Sequence, residues 1–253
     1  MIQSLLAARK TKARADRPTK IDPGINLKQA YDLQYELVER LVKSEGPVIG
    51  YKISPKTVAD SEDPTRQIPD YGHLLKTMVL RNGAVLRRSD FMDLHLENEV
   101  AFVIDRPIPY DAVKTAAELK PYVRSVNPAI ELPDIRFTGT INDVTGLDLV
   151  VDNVVAAKII LGPGKSIVDI NPDQVTVKMT REDEIVNEGI STMVEGSPWN
   201  SLLWLVKELG KRGKTLLAGH VVMTGGIANF MDGKAGSYRA DFGPLGEIKF
   251  KLQ

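Results

Sequence analysis

From Asn26 to Lys43 the apolar positions Leu27, Ala30, Tyr31, Leu33, Leu37, Leu41 and Val42 recur at helical spacing, which predicts an amphipathic helix. Asn26 stands where an N-cap is needed, since its side-chain oxygen can accept from an unpaired first-turn amide. Glu45-Gly46-Pro47 ends the helix, because proline biases the chain before it out of the helical region. Beyond Pro47 the pattern becomes β-like. Strands are predicted over Val48–Ile53, Leu94–Ile104, Pro128–Leu132, Val154–Leu161, Gln174–Thr180, His220–Thr224 and Glu247–Leu252, with a hairpin over Val79–Leu86 around Asn82-Gly83. Two helices interrupt them, Asp111–Leu119 and Pro198–Leu209, the second with Leu202, Leu203, Leu205, Val206 and Leu209 on one face. Helices first and mostly strands afterwards predict an α+β protein, with a helical portion over 1–46 and a bent, mixed sheet or barrel-like roll over 47–253.

Composition narrows the chemistry. The chain has no cysteine, which excludes disulfides, thiolate metal sites and cysteine nucleophiles, and its three histidines are scattered. A metal would therefore rest on oxygen ligands, which favours Mg²⁺ or Mn²⁺ over zinc. Lysine plus arginine equals aspartate plus glutamate at 33 each. That balance argues against a nucleic-acid partner and leaves little electrostatic resistance to self-association, so a homo-oligomer is expected. No apolar run approaches the length needed to cross a bilayer. The opening twenty residues are basic and acid-poor, but their apolar stretch Ile2–Ala8 is short and precedes the charges. It is read as a first helix rather than a transit peptide, and the expected location is the cytoplasm.

The segment Leu94-His95-Leu96-Glu97-Asn98-Glu99-Val100-Ala101-Phe102-Val103 carries the strongest chemical signal. Alternate strand residues face the same way, so Glu97 and Glu99 sit side by side. Two such carboxylates repel in a buried site, and a divalent cation removes that penalty. Glu131, in the apolar context Pro128-Ala129-Ile130-Glu131-Leu132, supplies a third acid for an open Mg²⁺ or Mn²⁺ site. On spacing alone, Glu-X-Glu also suits an exposed strand face with solvated acids. Lys52 lies on another apolar strand, where a lysine without a role would point to solvent. Asp70 begins an Asp-Tyr-Gly stretch after Pro69, which also suits a turn.

Leu96-Glu97-Asn98-Glu99-Val100-Ala101, with Glu131 downstream, resembles the metal site of the fumarylacetoacetate hydrolase superfamily. Gly50-Tyr51-Lys52-Ile53, Pro69-Asp70-Tyr71-Gly72-His73-Leu74, Asp152-Asn153, Gly196-Ser197-Pro198, Met223-Thr224-Gly225-Gly226 and Gly243-Pro244-Leu245-Gly246-Glu247-Ile248 follow the same order. Together they resemble the branch of 2-oxopent-4-enoate hydratases and 2-oxo-3-hexenedioate (4-oxalocrotonate) decarboxylases, from about Ile25 onward. The resemblance implies a twisted β-roll with a small N-terminal helical portion, and a Mg²⁺ or Mn²⁺ ion on Glu97, Glu99 and Glu131. It further implies Lys52 and Asp70 as catalytic groups, with Lys52, Tyr71, Thr224 and Gly225 at the substrate. The activity it implies is that of a lyase of aromatic-compound catabolism. Hydration of 2-hydroxypenta-2,4-dienoate comes first, with decarboxylation of 2-oxo-3-hexenedioate or carbon–carbon hydrolysis of acylpyruvates as alternatives. A complex with a related pathway enzyme belongs to the same expectation; a non-catalytic partner subunit sits poorly with the retained acids and lysine.

The chain departs from that pattern in three places. Ser54-Pro55 follows the lysine strand, Leu94-His95-Leu96 precedes the paired acids, and Val154-Val155 follows Asp152-Asn153 where hydratases carry Ala-Ser. These bear on the reaction more than on the metal. Gly162-Pro163-Gly164-Lys165-Ser166 lacks the first glycine of a phosphate-binding loop and reads as a turn. Gly196-Ser197-Pro198 is no nucleophile elbow, and Ser197 is read as the cap of the helix that follows.

Overall fold

The computed structural model describes residues 1–55 and 63–253. Helix α1 (Ile2–Thr11), the short α2 (Pro18–Ile21) and the long α3 (Leu27–Glu45) come first. The cap of α3 is reciprocal: Gln29 N donates to Asn26 Oδ1 at 3.0 Å and Asn26 N donates to Gln29 Oε1 at 2.9 Å. Two further helices, α4 (Gly146–Val151) and α5 (Pro198–Gly210), complete the set among the described residues, and Ser197 caps α5 by accepting from Trp199 N at 3.1 Å. Among the described residues no helix is long and apolar enough to cross a membrane.

Among the described residues thirteen strands form two sheets. The larger contains β1 (Val48–Ser54), β2 (Asp70–Leu75), β3 (Val79–Arg81), β5 (His95–Ile104), β6 (Val123–Leu132), β7 (Lys158–Leu161) and β10 (Val221–Met223) in the order β2-β1-β10-β5-β6-β7-β3, with β11 (Ile227–Asp232) paired to one end of β5. It is mixed, since β1 runs parallel to β10 and β3 parallel to β7 while the other pairs are antiparallel. The smaller sheet holds β4 (Val85–Leu86), β8 (Thr176–Arg181), β9 (Glu184–Ile190), β12 (Gly236–Asp241) and β13 (Glu247–Leu252) in the order β4-β13-β12-β8-β9. This is the α+β architecture expected, a curled half-barrel with a few helices.

Residues paired across strands share a face, so the register sorts the side chains. Lys52 pairs with Met223, Met223 with Ala101, Glu99 with Ala129 and Glu97 with Glu131. All of these lie on the inner face, where Leu74, Ala101, Ala129, Ile159, Val221 and Met223 form a small apolar cluster of their own. The alternate residues face the helices. Phe102 stacks on Trp199 of α5 at 4.5 Å and Tyr71 on Tyr31 of α3 at 4.8 Å. Apolar residues from α1 and α3 share one buried cluster with those of the strands, from Leu5 to Leu252.

Several expected elements need correction. Val79–Leu86 is not a hairpin. Its halves, β3 and β4, pair in parallel with β7 and β13 in different sheets, and Asn82 ties the crossing by accepting from Lys249 N at 2.7 Å. Asp111–Leu119 forms no α-helix; its second half enters 3₁₀ turns over Ala116–Tyr122, since Pro109 and Pro121 bracket a run too short to nucleate one. Only Lys158–Leu161 of the stretch Val154–Leu161 is extended, because Val154 and Val155 adopt left-handed backbone angles. Asp70 opens strand β2 rather than making a turn.

A buried ion-pair group joins α1 to the sheet. Arg136, 2% exposed, donates through Nε to Asp152 Oδ2 at 2.8 Å, and Arg9 of α1 reaches Asp152 Oδ1 at 3.0 Å. Removing one member strands the other charges away from water. Arg136→Met is therefore expected to cost about 3 kcal/mol, read as a drop of about 10 °C in calorimetric Tm. A Tm within 2 °C or so of the parent would show that these charges are solvated.

Candidate metal and catalytic centre

Strand alternation places Glu97 and Glu99 together, and the β5–β6 register sets Glu131 directly opposite Glu97. The three carboxylates each offer an oxygen, all within 4.8 Å of one another. Glu99 and Glu131 are buried and Glu97 is half-buried. Glu99 Oε2 accepts from Gly225 N at 2.7 Å, but Glu99 Oε1 and Glu131 Oε2 have no hydrogen-bond donor. Buried carboxylate oxygens without donors are costly unless a proton or a cation occupies the space between them. The donor set is therefore one that a hard divalent cation fits. Gly226 makes room for it, since a Cβ there would lie 2.3 Å from Glu97 Oε1.

Lys52 reaches the same spot from β1. It is 3% exposed, its Nζ lies 2.8 Å from Glu131 Oε1, and it donates to the Val154 carbonyl at 3.2 Å. Burial pulls its pKa down, but Glu131, Glu97 and Glu99 more than offset this, so the ammonium stays charged. Asp70, two residues along β2 from Gly72, the partner of Lys52, is buried with Oδ1 unpartnered. Burial lifts its carboxyl to about 7, with Lys52 opposing and Glu131 adding to the rise. Glu97 is likewise raised to about 7 by burial and by Glu131, and Glu99 is pushed up by burial and both other glutamates.

These shifts have a definite sign. A carboxyl whose folded pKa exceeds its unfolded value binds more protons when folded, so it stabilises the fold at low pH, and that stability falls as pH rises between roughly 4.5 and 7. A divalent cation replaces the protons. The rise in Tm on adding Mg²⁺ is thus expected to be several-fold larger at pH 8 than at pH 5.5 in a thermal-shift titration. An equal rise at both values would show that the three acids do not take up the ion.

The structure also separates residues that the sequence put together. Tyr71 is on the opposite face of β2 from Asp70, stacked on Tyr31, with its hydroxyl 3.1 Å from that of Tyr35. Strand alternation turns it toward α3 and away from the acids. Thr224 lies near the centre, but its hydroxyl donates to Val100 O at 2.9 Å, and the Gly225 amide is committed to Glu99. Both hold the acid-bearing strand in place. The sequence reading missed the Val154 carbonyl, which faces Lys52 from a turn expected to be a strand, and Gly226; the Asp152-Asn153 pair was the available signal for the first.

No family model matches the chain. A TodF product hydratase of Pseudomonas putida is 29% identical over 203 residues, covering 80% of this chain and 75% of the relative. A 4-oxalocrotonate decarboxylase of a Pseudomonas species is 27% identical, covering 81% and 77%. A solved 4-oxalocrotonate decarboxylase of Pseudomonas putida G7, complexed with magnesium and adipate, superposes with a TM-score of 0.91 at 23% identity, over 100% of this chain and 95% of that one. The chain shares the fold of that decarboxylase and is similar over most of its length to hydratases and a decarboxylase. These are the kinds of relative that the ordered motifs from Gly50 to Ile248 lead one to expect.

Proposed function

We propose that this chain is a divalent-metal-dependent lyase that hydrates a small 2-hydroxy-2,4-dienoic acid of the 2-hydroxypenta-2,4-dienoate type. The observation that carries it is the meeting of Glu97, Glu99 and Glu131 with Lys52 and Asp70 at one end of the inner face. Most of the named relatives are hydratases, which places hydration ahead of decarboxylation. Glu97, Glu99 and Glu131 would hold Mg²⁺ or Mn²⁺, which when bound supplies Lewis-acid stabilisation of the substrate's 2-oxygen.

The protein's own groups do the rest. Lys52, kept charged by its three acidic neighbours, stabilises negative charge as it develops on the enol oxygen. Asp70, titrating near neutrality, can take the proton that leaves the enol oxygen and return it to the far carbon as the ketone forms, then take a proton from the attacking water and return it to the carbon beside the ketone. The apolar cluster of Leu74, Ala101 and Met223 along the same face limits bulk water beside these groups.

The test is the ultraviolet absorbance of 2-hydroxypenta-2,4-dienoate with chelator-stripped protein, before and after adding Mg²⁺ or Mn²⁺. Metal-dependent decay supports the proposal. Carbon dioxide release from 2-oxo-3-hexenedioate without dienoate hydration would establish decarboxylation instead, a reading that the 27%-identical decarboxylase supports. Cleavage of acylpyruvates alone would overturn both. The zero net charge further supports a homo-oligomer, for which light scattering at micromolar concentration should give a multiple of 27.9 kDa.

A further inference from the structure

Arg9 sits in the basic opening segment, where a solvated charge would be unremarked, yet its side chain is only 11% exposed. Its guanidinium donates to Asp152 Oδ1 at 3.0 Å, to Asp152 O at 3.1 Å and to Ala156 O at 3.2 Å. Arg136 binds the same two residues from the other side, through Asp152 Oδ2 at 2.8 Å and Ala156 O at 3.3 Å. Two planar guanidinium forks thus grip both ends of the segment from Asp152 to Ala156.

Between those grips the backbone is strained. Asn153, Val154 and Val155 have φ of 57°, 50° and 50°, three successive non-glycine residues in the left-handed region, two of them β-branched. Such backbone is unfavourable for residues with a Cβ and persists only when its surroundings over-determine it. The surroundings do. Asn153 accepts from His73 N at 2.7 Å and donates to His73 O at 2.8 Å, and Asp134 N donates to Val155 O at 3.0 Å. Gly72 allows the close approach, since a Cβ there would lie 2.4 Å from Asn153 O. The product of this arrangement is a carbonyl, Val154 O, aimed at the Lys52 ammonium.

We infer that Arg9 is a positioning residue for Lys52, acting through the Asp152–Ala156 turn and the Val154 carbonyl. The inference rests on the reading of Lys52 as a catalytic group given above. Without Arg9 the turn relaxes toward negative φ, and Val154 O leaves Lys52. The ammonium, held then by Glu131 alone, is drawn toward the acids. Asp152 keeps Arg136, so the fold survives the loss.

Arg9→Ala tests this beside Lys10→Ala, which removes an exposed charge from the same helix. In Mg²⁺-saturated protein, Arg9→Ala is expected to lower kcat by about 10–100-fold with KM within about threefold of the parent, whereas Lys10→Ala changes neither. A cleft of about 280 Å³ lined by Ala8, Arg9, Asp134, Arg136 and Lys158 opens onto the vacated position. Guanidinium at about 10–50 mM, well below denaturing levels, is therefore expected to recover much of the lost kcat. A crystal structure of Arg9→Ala should show the Val154 carbonyl turned from Lys52. A turn left in place, or a loss of kcat that guanidinium does not recover, overturns the inference. If the parent hydrates no dienoate, the functional reading fails, and the position of Val154 O in the variant still decides this one.

Discussion

Glu99→Gln is expected to abolish measurable Mg²⁺ binding in calorimetry and to lower activity by about 10³-fold or more, while leaving the fold intact. The amide is isosteric, and its oxygen can still accept from Gly225 N, the one strong bond Glu99 makes to the backbone. What is lost is the charge on Oε1, which faces Glu97 and Glu131 without a donor. Because mutual repulsion and burial raise the glutamates, removing one should also stabilise the metal-free protein at pH 8. Glu97→Gln should weaken binding in the same direction, with a smaller gain in metal-free stability because Glu97 is only half-buried. A variant that binds Mg²⁺ or Mn²⁺ as tightly as the parent would remove these glutamates from the centre.

Lys52→Met is expected to depress kcat by about 10²–10⁴-fold with little change in KM. Methionine keeps the length and apolar stem of the lysine but removes the only cation within ion-pair distance of Glu131 among the described residues. Were Lys52 merely an anchor for the substrate carboxylate, it would contribute equally to ground and transition states. KM would then rise and kcat would be spared. Placement argues otherwise: the ammonium is shared between Glu131 and the Val154 carbonyl, at the edge of the three-carboxylate cluster. Metal-free Lys52→Met should also be less stable than the parent, since Glu131 loses its counter-charge, and Mg²⁺ should restore part of the difference. An unchanged kcat with only a weaker KM would assign Lys52 to binding.

Much of the candidate centre is legible in the sequence. The alternation in β5 put Glu97 and Glu99 on one face by strand geometry alone, the apolar context of Glu131 suggested a third acid, and only the family resemblance turned Lys52 toward them. Asn26 and Ser197 were legible as helix caps, because a cap is a local matter of one side chain and the next two or three amides. The face that Tyr71 takes is not legible in the sequence, because a motif names neighbours without saying which side of a strand each one occupies.

What the sequence determined by itself was local or periodic: the long helix over Leu27–Glu45, the capped helix from Pro198, the shared face of the two acids of β5 and the oxygen-only ligand chemistry of a chain without cysteine. Tertiary structure decided the pairing of strands distant in the chain. It sent Val79–Arg81 and Val85–Leu86 to different sheets, and it set Glu131 opposite Glu97. It also decided the conformation of Asn153–Val155. Local preference there favours extended backbone, and the left-handed turn is held by hydrogen bonds from Arg9, from His73 and from the neighbouring Asp134 and Arg136, brought in from three other parts of the chain.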